Sequence, residues 1–361
     1  MWRSSVSRAL LAVGLLVVLT AGPATAAGYD QPWDRFAVSV DVDQPAAARL
    51  VGTVLIPHSR GPHPVVVIVA GSGPTDADGN SALVPGRNDS LKLLAEGLAR
   101  AGIASLRFDK RGVGRSAQAG IPEESLRFDT YVGDVRAWLE DLTRVRRFSR
   151  IYLAGHSEGA LVALSAAQGF DLSGLITVAG PGRPADVLMR EQLKRHLPAD
   201  SPLEEDAVAI LDRLAAGEPV EEVPEPLQGV FRRSVQPYLM SMFDVQPQEL
   251  VASVNTPVLI VQGTADLQVT PDDAENLAAA RPDASVRLLS GMNHLLKPAE
   301  LGPLQGQWHT YVDPSVPLAS GLVEAVVGFV HDTAGAVTDR PPAVLSARGT
   351  SGGARSAPGA G

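Results

Sequence analysis

Short apolar runs alternate along the chain with stretches whose apolar positions recur every three or four residues. Residues 36–42 alternate apolar with polar and residues 50–56 do so less cleanly, which predicts two strands at the start of a sheet. Residues 64–70 read Pro-Val-Val-Val-Ile-Val-Ala, an almost unbroken apolar run that predicts a strand buried on both faces. A Gly/Pro/Asp-rich loop fills 71–88, an amphipathic helix is expected near 91–101, and 103–108 is the next strand. Val135, Trp138, Leu139 and Leu142 fall at i, i+3, i+4 and i+7 of a helix. The apolar run 151–154 leads into a helix to about 168, and 174–178 is a further strand. Strands at 257–262 and 284–289 and a helix at 318–330 end the pattern; Pro257 is tolerated at a strand's first residue. Strands alternating with helices predict a parallel sheet with helices on both faces.

The alternation lapses at 181–255, which reads as helical. Ser201-Pro202-Leu203-Glu204 supplies an N-cap, a first-turn proline and a capping-box glutamate. Ligands of parallel sheets bind at the carboxyl ends of the strands, so the insertion is expected as a cap over that edge. A peripheral embellishment is the plainer alternative.

The ends of the chain narrow the fold to its middle. Arg3 and Arg8, an apolar stretch at 9–19 and Ala24-Thr25-Ala26 form an export signal expected to be cleaved after residue 26, giving a secreted or periplasmic protein. The stretch is broken by Gly22-Pro23 and is too short for the ~20 residues of a spanning helix, so no stable membrane span is expected after cleavage. Residues 333–361 hold almost no large apolar side chain and read as a disordered tail. That leaves 27–332 as one α/β domain. Cysteine is absent, so an exported chain has to be held by an ordinary core without disulfides. Cleavage removes two arginines and no acid, taking the formal net charge from −9 to −11. Such an acidic body, with no basic run, is a poor nucleic-acid binder.

Within this frame, Gly155-His156-Ser157-Glu158-Gly159 joins a predicted strand to a predicted helix. G-x-S-x-G at such a junction is a nucleophile elbow, with glycines flanking a serine held exposed on a tight turn. With 35 Gly in 361 residues, chance alone supplies about 0.2 copies per chain, so the junction rather than the pattern carries the reading. A serine nucleophile needs a base, and the base an acid that fixes its tautomer. Asp266 stands just past the strand ending at 262, whereas Asp272 and Asp273 after Thr270-Pro271 read as first-turn helix acids. His294 follows the last strand directly; His309 lies in an irregular segment and His331 at a helix end. Ser157, Asp266 and His294 are therefore the expected triad. The oxyanion donors are expected to be the backbone N–H groups of Glu158 and of Ser72, in the loop after the third strand. His156 and Glu158 side chains are expected to orient rather than to react. Residues 76–87 lack the glycine and glutamate of a calcium loop, and 109–116 lack the Lys-Ser/Thr ending of a phosphate loop. No metal or organic cofactor is expected. Leu239-Met240-Ser241-Met242-Phe243 reads equally as an acyl pocket or as cap packing, and the acids at 204–225 as a solvated surface or an anchor for a substrate amine.

Five segments in order, GSGPTDADGN (71–80), DKRGVGRS (109–116), GHSEG (155–159), GTADLQV (263–269) and GMNHLLK (291–297), resemble the α/β-hydrolase superfamily. More narrowly they resemble bacterial serine esterases of the EstD type, close to the serine-aminopeptidase-like hydrolases. The resemblance covers about 36–332 and implies an eight-stranded, mostly parallel sheet with a helical cap. It also implies hydrolysis of small-molecule carboxylic esters through an acyl-serine, with thioester or amide cleavage, or binding without catalysis, as the alternatives. Two departures stand out: Ala70 where many relatives carry histidine, and Ala77 where arginine is expected.

Overall fold

The computed structural model describes residues 31–336 apart from 198, 200 and 303. The expected export signal, and the expected tail from 337 onward, lie outside the described residues. The chain forms β1 (Trp33–Val42), β2 (Ala48–Pro57), β3 (His63–Val69), α1 (Ser90–Arg100), β4 (Ala104–Phe108), α2 (Phe128–Thr143), β5 (Phe148–His156), α3 (Glu158–Ala166) and β6 (Gly174–Val178). An inserted run of helices follows: α4 (Ala185–His196), α5 (Pro202–Ala215), α6 (Gln228–Phe231), α7 (Gln236–Phe243) and α8 (Pro247–Ser253). The pattern then resumes with β7 (Val258–Gly263), α9 (Pro271–Ala280), β8 (Ser285–Leu289), α10 (Leu304–Gln307), α11 (His309–Val312) and α12 (Leu322–Ala336).

All eight strands join one sheet in the order β1-β2-β4-β3-β5-β6-β7-β8. β1 and β2 run antiparallel to their neighbours, and β4, β3, β5, β6, β7 and β8 are parallel to one another. The apolar runs explain the two-sided burial. In β3, Val66 and Ile68 face one helical layer while Val67 and Val69 face the other; β7 divides the same way into Leu259 and Val261 against Val258 and Ile260. One layer is α1 and α12, through Leu94, Leu98, Val326 and Phe329. The other is α2 and α3, through Trp138, Leu139, Leu161 and Leu164. Each such fully buried side chain contributes about 1.5–3 kcal/mol.

The insertion is packed into the second layer. Leu239, Met242 and Phe243 of α7 belong to the same apolar cluster as α2 and α3, which resolves their role as packing rather than as an acyl pocket. Gln236, wholly buried, receives Val220 N–H at 2.8 Å and donates to Val220 O and Phe231 O, closing the insertion on itself. Its entry is tied to α9 by Arg183, whose guanidinium meets Asp273 at 2.8 and 3.0 Å. Ser201 caps α5 by accepting Glu204 N–H at 3.2 Å, as its sequence predicts, and Thr270 with Asp273 forms a capping box on α9.

The final helix differs most from its expected bounds. Gly321, at φ 88°, lies just before it and starts it at Leu322 rather than near 318. At its other end the Thr333 hydroxyl donates to Phe329 O at 2.7 Å and lies 2.9 Å from the Tyr152 hydroxyl of β5. That contact carries the helix past 333, where composition alone set the start of the tail, to Ala336.

Candidate active site

Parallel strands end on one edge of a sheet, and β5, β7 and β8 end there on the loops that carry Ser157, Asp266 and His294. Ser157 sits between β5 and α3 at φ 56°, ψ −128°, a left-handed conformation costing about 1–3 kcal/mol in a residue with a side chain. Its neighbours impose it. Ser157 N–H donates to Val178 O at 3.0 Å, and Ala160 N–H to Ser157 O at 2.8 Å. A Cβ on Gly155 would lie 2.1 Å from Gly159 O, and one on Gly159 would lie 2.5 Å from Val69 O. Both contacts are with backbone that has no room to shift, so the two glycines are obligatory.

The three predicted side chains meet. His294 Nε2 lies 3.0 Å from Ser157 Oγ, and His294 Nδ1 lies 2.8 Å from Asp266 Oδ2. Asp266, buried, accepts Gln268 N–H at 2.8 Å and Val269 N–H at 3.0 Å on Oδ1, which leaves Oδ2 for the imidazole. The acid and base loops are laced together: Ala265 N–H donates to Met292 O, and Gly291 N–H to Thr264 Oγ1, each at 3.0 Å. Asn293, fully buried, turns the base loop by accepting the N–H groups of Leu295 and Lys297 and donating to Thr310 Oγ1 at 2.8 Å.

His156 contributes a further support. Its Nε2 lies 2.8 Å from His294 O, so the neutral ring donates to the carbonyl of His294. Burial, and then the nearby His294 ring, push its pKa down to about 4. The unfolded chain takes up this proton near pH 6.5, so it binds more protons than the folded one between pH 6.5 and 4. Stability therefore falls as pH falls through that window, by about 3 kcal/mol from this group. Burial raises the Asp134 carboxyl, which acts in the opposite direction but is common to wild type and variant. Urea unfolding of His156→Gln at pH 7 and pH 4.5 should accordingly show a smaller acid-induced loss than wild type; equal losses would contradict it.

A cavity of about 260 Å³ opens at Ser157, walled by the 71–90 loop, Gln268, His294, Leu295 and Tyr311. Among the described residues lining it, none comes from the inserted helices and none is Asp or Glu. The insertion reaches the loop after β7, where Gln192 Nε2 donates to Gln268 O at 3.0 Å and Arg195 Nη1 to Leu267 O. Gln268, which pattern reasoning passed over, donates through Nε2 to the Tyr311 hydroxyl at 2.9 Å and so spans from the acid loop to α11. A larger, open depression of about 410 Å³ lies by His63, where β3 begins, far from these groups.

Ser72 lines the cavity, and Gly71 lies so close to the elbow that a Cβ there would be 3.1 Å from Ser157 Cβ. Glu158 opens α3, so its N–H belongs to the orphan donors of a helix start. Its carboxylate turns away into the protein, 8% exposed, beside Lys110 and Tyr131. The loop 76–80 is tied down by side chains: Asp76 Oδ1 accepts Asp78 and Asn80 N–H at 2.9 Å, and Asp109 accepts Ala77 N–H at 2.8 Å. Asp78 meets the buried Arg107 at 2.8 Å. Among the described residues, no cluster of three or more His, Asp or Glu is arranged to hold a metal, and no helix is long and apolar enough to cross a membrane.

A mostly parallel eight-stranded sheet between two helical layers, with a serine elbow after β5, is the α/β-hydrolase fold. The chain belongs to the Hydrolase_4 family, serine aminopeptidase S33, whose model matches residues 76–297. It is 28% identical over 260 residues to Esterase EstD of Thermotoga maritima, covering 68% of this chain and 58% of that protein's length. It is 25% identical over 249 residues to a proline iminopeptidase of Lacticaseibacillus rhamnosus, covering 58% of this chain and 81% of the relative. Among solved structures, Est1E from Butyrivibrio proteoclasticus superposes with a TM-score of 0.53 at 18% identity, over 83% of this chain and 99% of that one.

Proposed function

We propose that the protein hydrolyses carboxylic esters through an acyl-serine on Ser157. The observation that carries this reading is the continuous contact from Ser157 Oγ through His294 to Asp266, at 3.0 and 2.8 Å. Ser157 Oγ attacks the ester carbonyl carbon as His294 Nε2 takes its proton, and Asp266 stabilises the imidazolium. The carbonyl oxygen becomes an oxyanion held by the N–H groups of Ser72 and Glu158. Collapse expels the alcohol, which leaves with the proton from His294. Water then attacks the acyl-serine with His294 again as base, releasing the acid and restoring Ser157. No step calls for a metal or an organic cofactor.

The family description and the iminopeptidase relative favour amide cleavage as a second reading. An aminopeptidase needs a carboxylate to hold the substrate amine, and the cavity's described lining offers none. Leu83, Val84 and Leu295 there suit a short-to-medium acyl chain instead. A panel of p-nitrophenyl esters of increasing chain length, run beside aminoacyl p-nitroanilides, is expected to give at least 10-fold higher kcat/KM for the esters; faster anilide turnover would reverse the assignment. A fluorophosphonate label should map to Ser157 by peptide mass spectrometry, and folded protein that takes no label would speak for a binding role. We further propose export directed by residues 1–26, read out by a mature N-terminus at residue 27.

A further inference from the structure

Lys110 lies just after β4, within the segment 109–116 whose sequence lacks the ending of a phosphate loop. Its side chain is buried behind the nucleophile, 4% exposed. Nζ donates to Gly71 O at 2.5 Å and stands 5.2 Å from the centre of the Tyr131 ring. The buried Glu158 carboxylate is the nearby counter-charge, opposing the downward push that burial gives the ammonium. Withdrawing an ammonium from water costs several kcal/mol. A methionine would fill the same space without that cost, so the cation itself calls for an explanation.

The acceptor supplies one. Gly71 O and Ser72 N–H belong to the same peptide unit, and this unit is not among the cis bonds of the chain. In a trans peptide the C=O and N–H point in opposite directions. Fixing Gly71 O on the buried side therefore aims Ser72 N–H toward the cavity that Ser72 and Ser157 both line. Thr75 Oγ1 donates to the next carbonyl, Ser72 O, at 2.7 Å, so both carbonyls flanking residue 72 are held.

We propose that Lys110 is a positioning residue for the oxyanion site, orienting the Gly71–Ser72 peptide and polarising its N–H through the ammonium–carbonyl hydrogen bond. The proposal rests on the assignment of Ser157 as nucleophile. A cation on the carbonyl oxygen draws electron density from the amide nitrogen and strengthens its N–H as a donor. The gain is largest when the substrate oxygen carries full negative charge, so it appears in kcat and not in KM.

The test compares wild type with Lys110→Met, and with Lys110→Gln as a second neutral variant if the first yields no folded protein. Each preparation is titrated to completion with a fluorophosphonate, so that rates are expressed per competent site. Loss of an entire oxyanion donor costs ~10²–10³ in turnover; weakening one is expected to lower kcat per titrated site about 10- to 100-fold, with KM within twofold of wild type. Affinity for an alkylboronic acid, which forms a tetrahedral adduct on the serine, should fall in parallel. A purely structural lysine would reduce the titratable fraction and leave kcat per site and boronate affinity within twofold of wild type, and that result overturns the proposal. Wild type that neither labels nor turns over esters would instead remove the nucleophile assignment and this proposal with it.

Discussion

Ser157→Ala is expected to lower ester turnover by about 10⁵- to 10⁶-fold, and His294→Ala by a similar factor. The double variant should be no worse than either single one. The reason lies in the 3.0 Å contact between Ser157 Oγ and His294 Nε2. The hydroxyl is a nucleophile only while its proton has somewhere to go, and the imidazole has no proton to accept once the hydroxyl is gone. What survives in each case is binding and the oxyanion donors, acting on direct attack by water. The fold should persist in Ser157→Ala, because the elbow is imposed by the Gly155 and Gly159 contacts and by Val178 O rather than by the hydroxyl. The check is pre-steady-state and steady-state kinetics on the two single variants and the double, with circular dichroism to establish folding. Losses that multiply in the double variant would mean that the two residues act separately.

The residues that meet at the candidate site were legible in the sequence because each closely follows a predicted strand, and a parallel sheet brings the ends of all such strands to one edge. Ser157, Asp266 and His294 needed no knowledge of strand order. The order itself was hidden: β4 inserts between β2 and β3, which no local pattern encodes. The placement of the insertion was hidden too. Its apolar residues mark helices that bury something, but whether Leu239 and Phe243 turn toward the cavity or toward α2 and α3 is decided by packing across more than 70 residues of chain. Lys110 escaped notice for an electrostatic reason. A charged residue in a turn reads as solvent-facing by default, and its burial here is sustained only because Gly71 O, the Tyr131 ring and the Glu158 carboxylate converge on it in space. The cavity walls follow the same rule. Gln268 lies on a loop and Tyr311 on the four-residue α11, and their joint position depends on how the loops after β7 and β8 are laced, mostly backbone to backbone.

Asp266→Asn should cost about 10⁴-fold in kcat with little change in KM, although it alters a single atom type. Asp266 uses its two oxygens differently. Oδ1 accepts the Gln268 and Val269 N–H groups, while Oδ2 accepts from His294 Nδ1 at 2.8 Å and from Gln262 Nε2 at 3.4 Å. An asparagine has one acceptor to share between these sites. If its oxygen stays with the two backbone donors, its NH₂ faces His294 Nδ1 and donates to it, which moves the imidazole proton to Nε2. That proton then points at Ser157 Oγ, and the nitrogen that should receive the hydroxyl proton is already occupied. If the amide flips, its NH₂ meets two backbone N–H groups within the loop that positions it, a worse conflict than the first. The same NH₂ in the unflipped state also faces the Gln262 amide nitrogen, so neither orientation is relaxed. The wrong tautomer is the lower-energy outcome, and substrate binding, which does not depend on it, is expected to be retained. The measurement is kcat and KM on the preferred p-nitrophenyl ester together with the low-field Nδ1–H proton resonance of His294, which should disappear in the variant. Retention of more than a tenth of wild-type kcat would mean that His294 keeps its tautomer without a carboxylate and that Asp266 serves only to hold its loop.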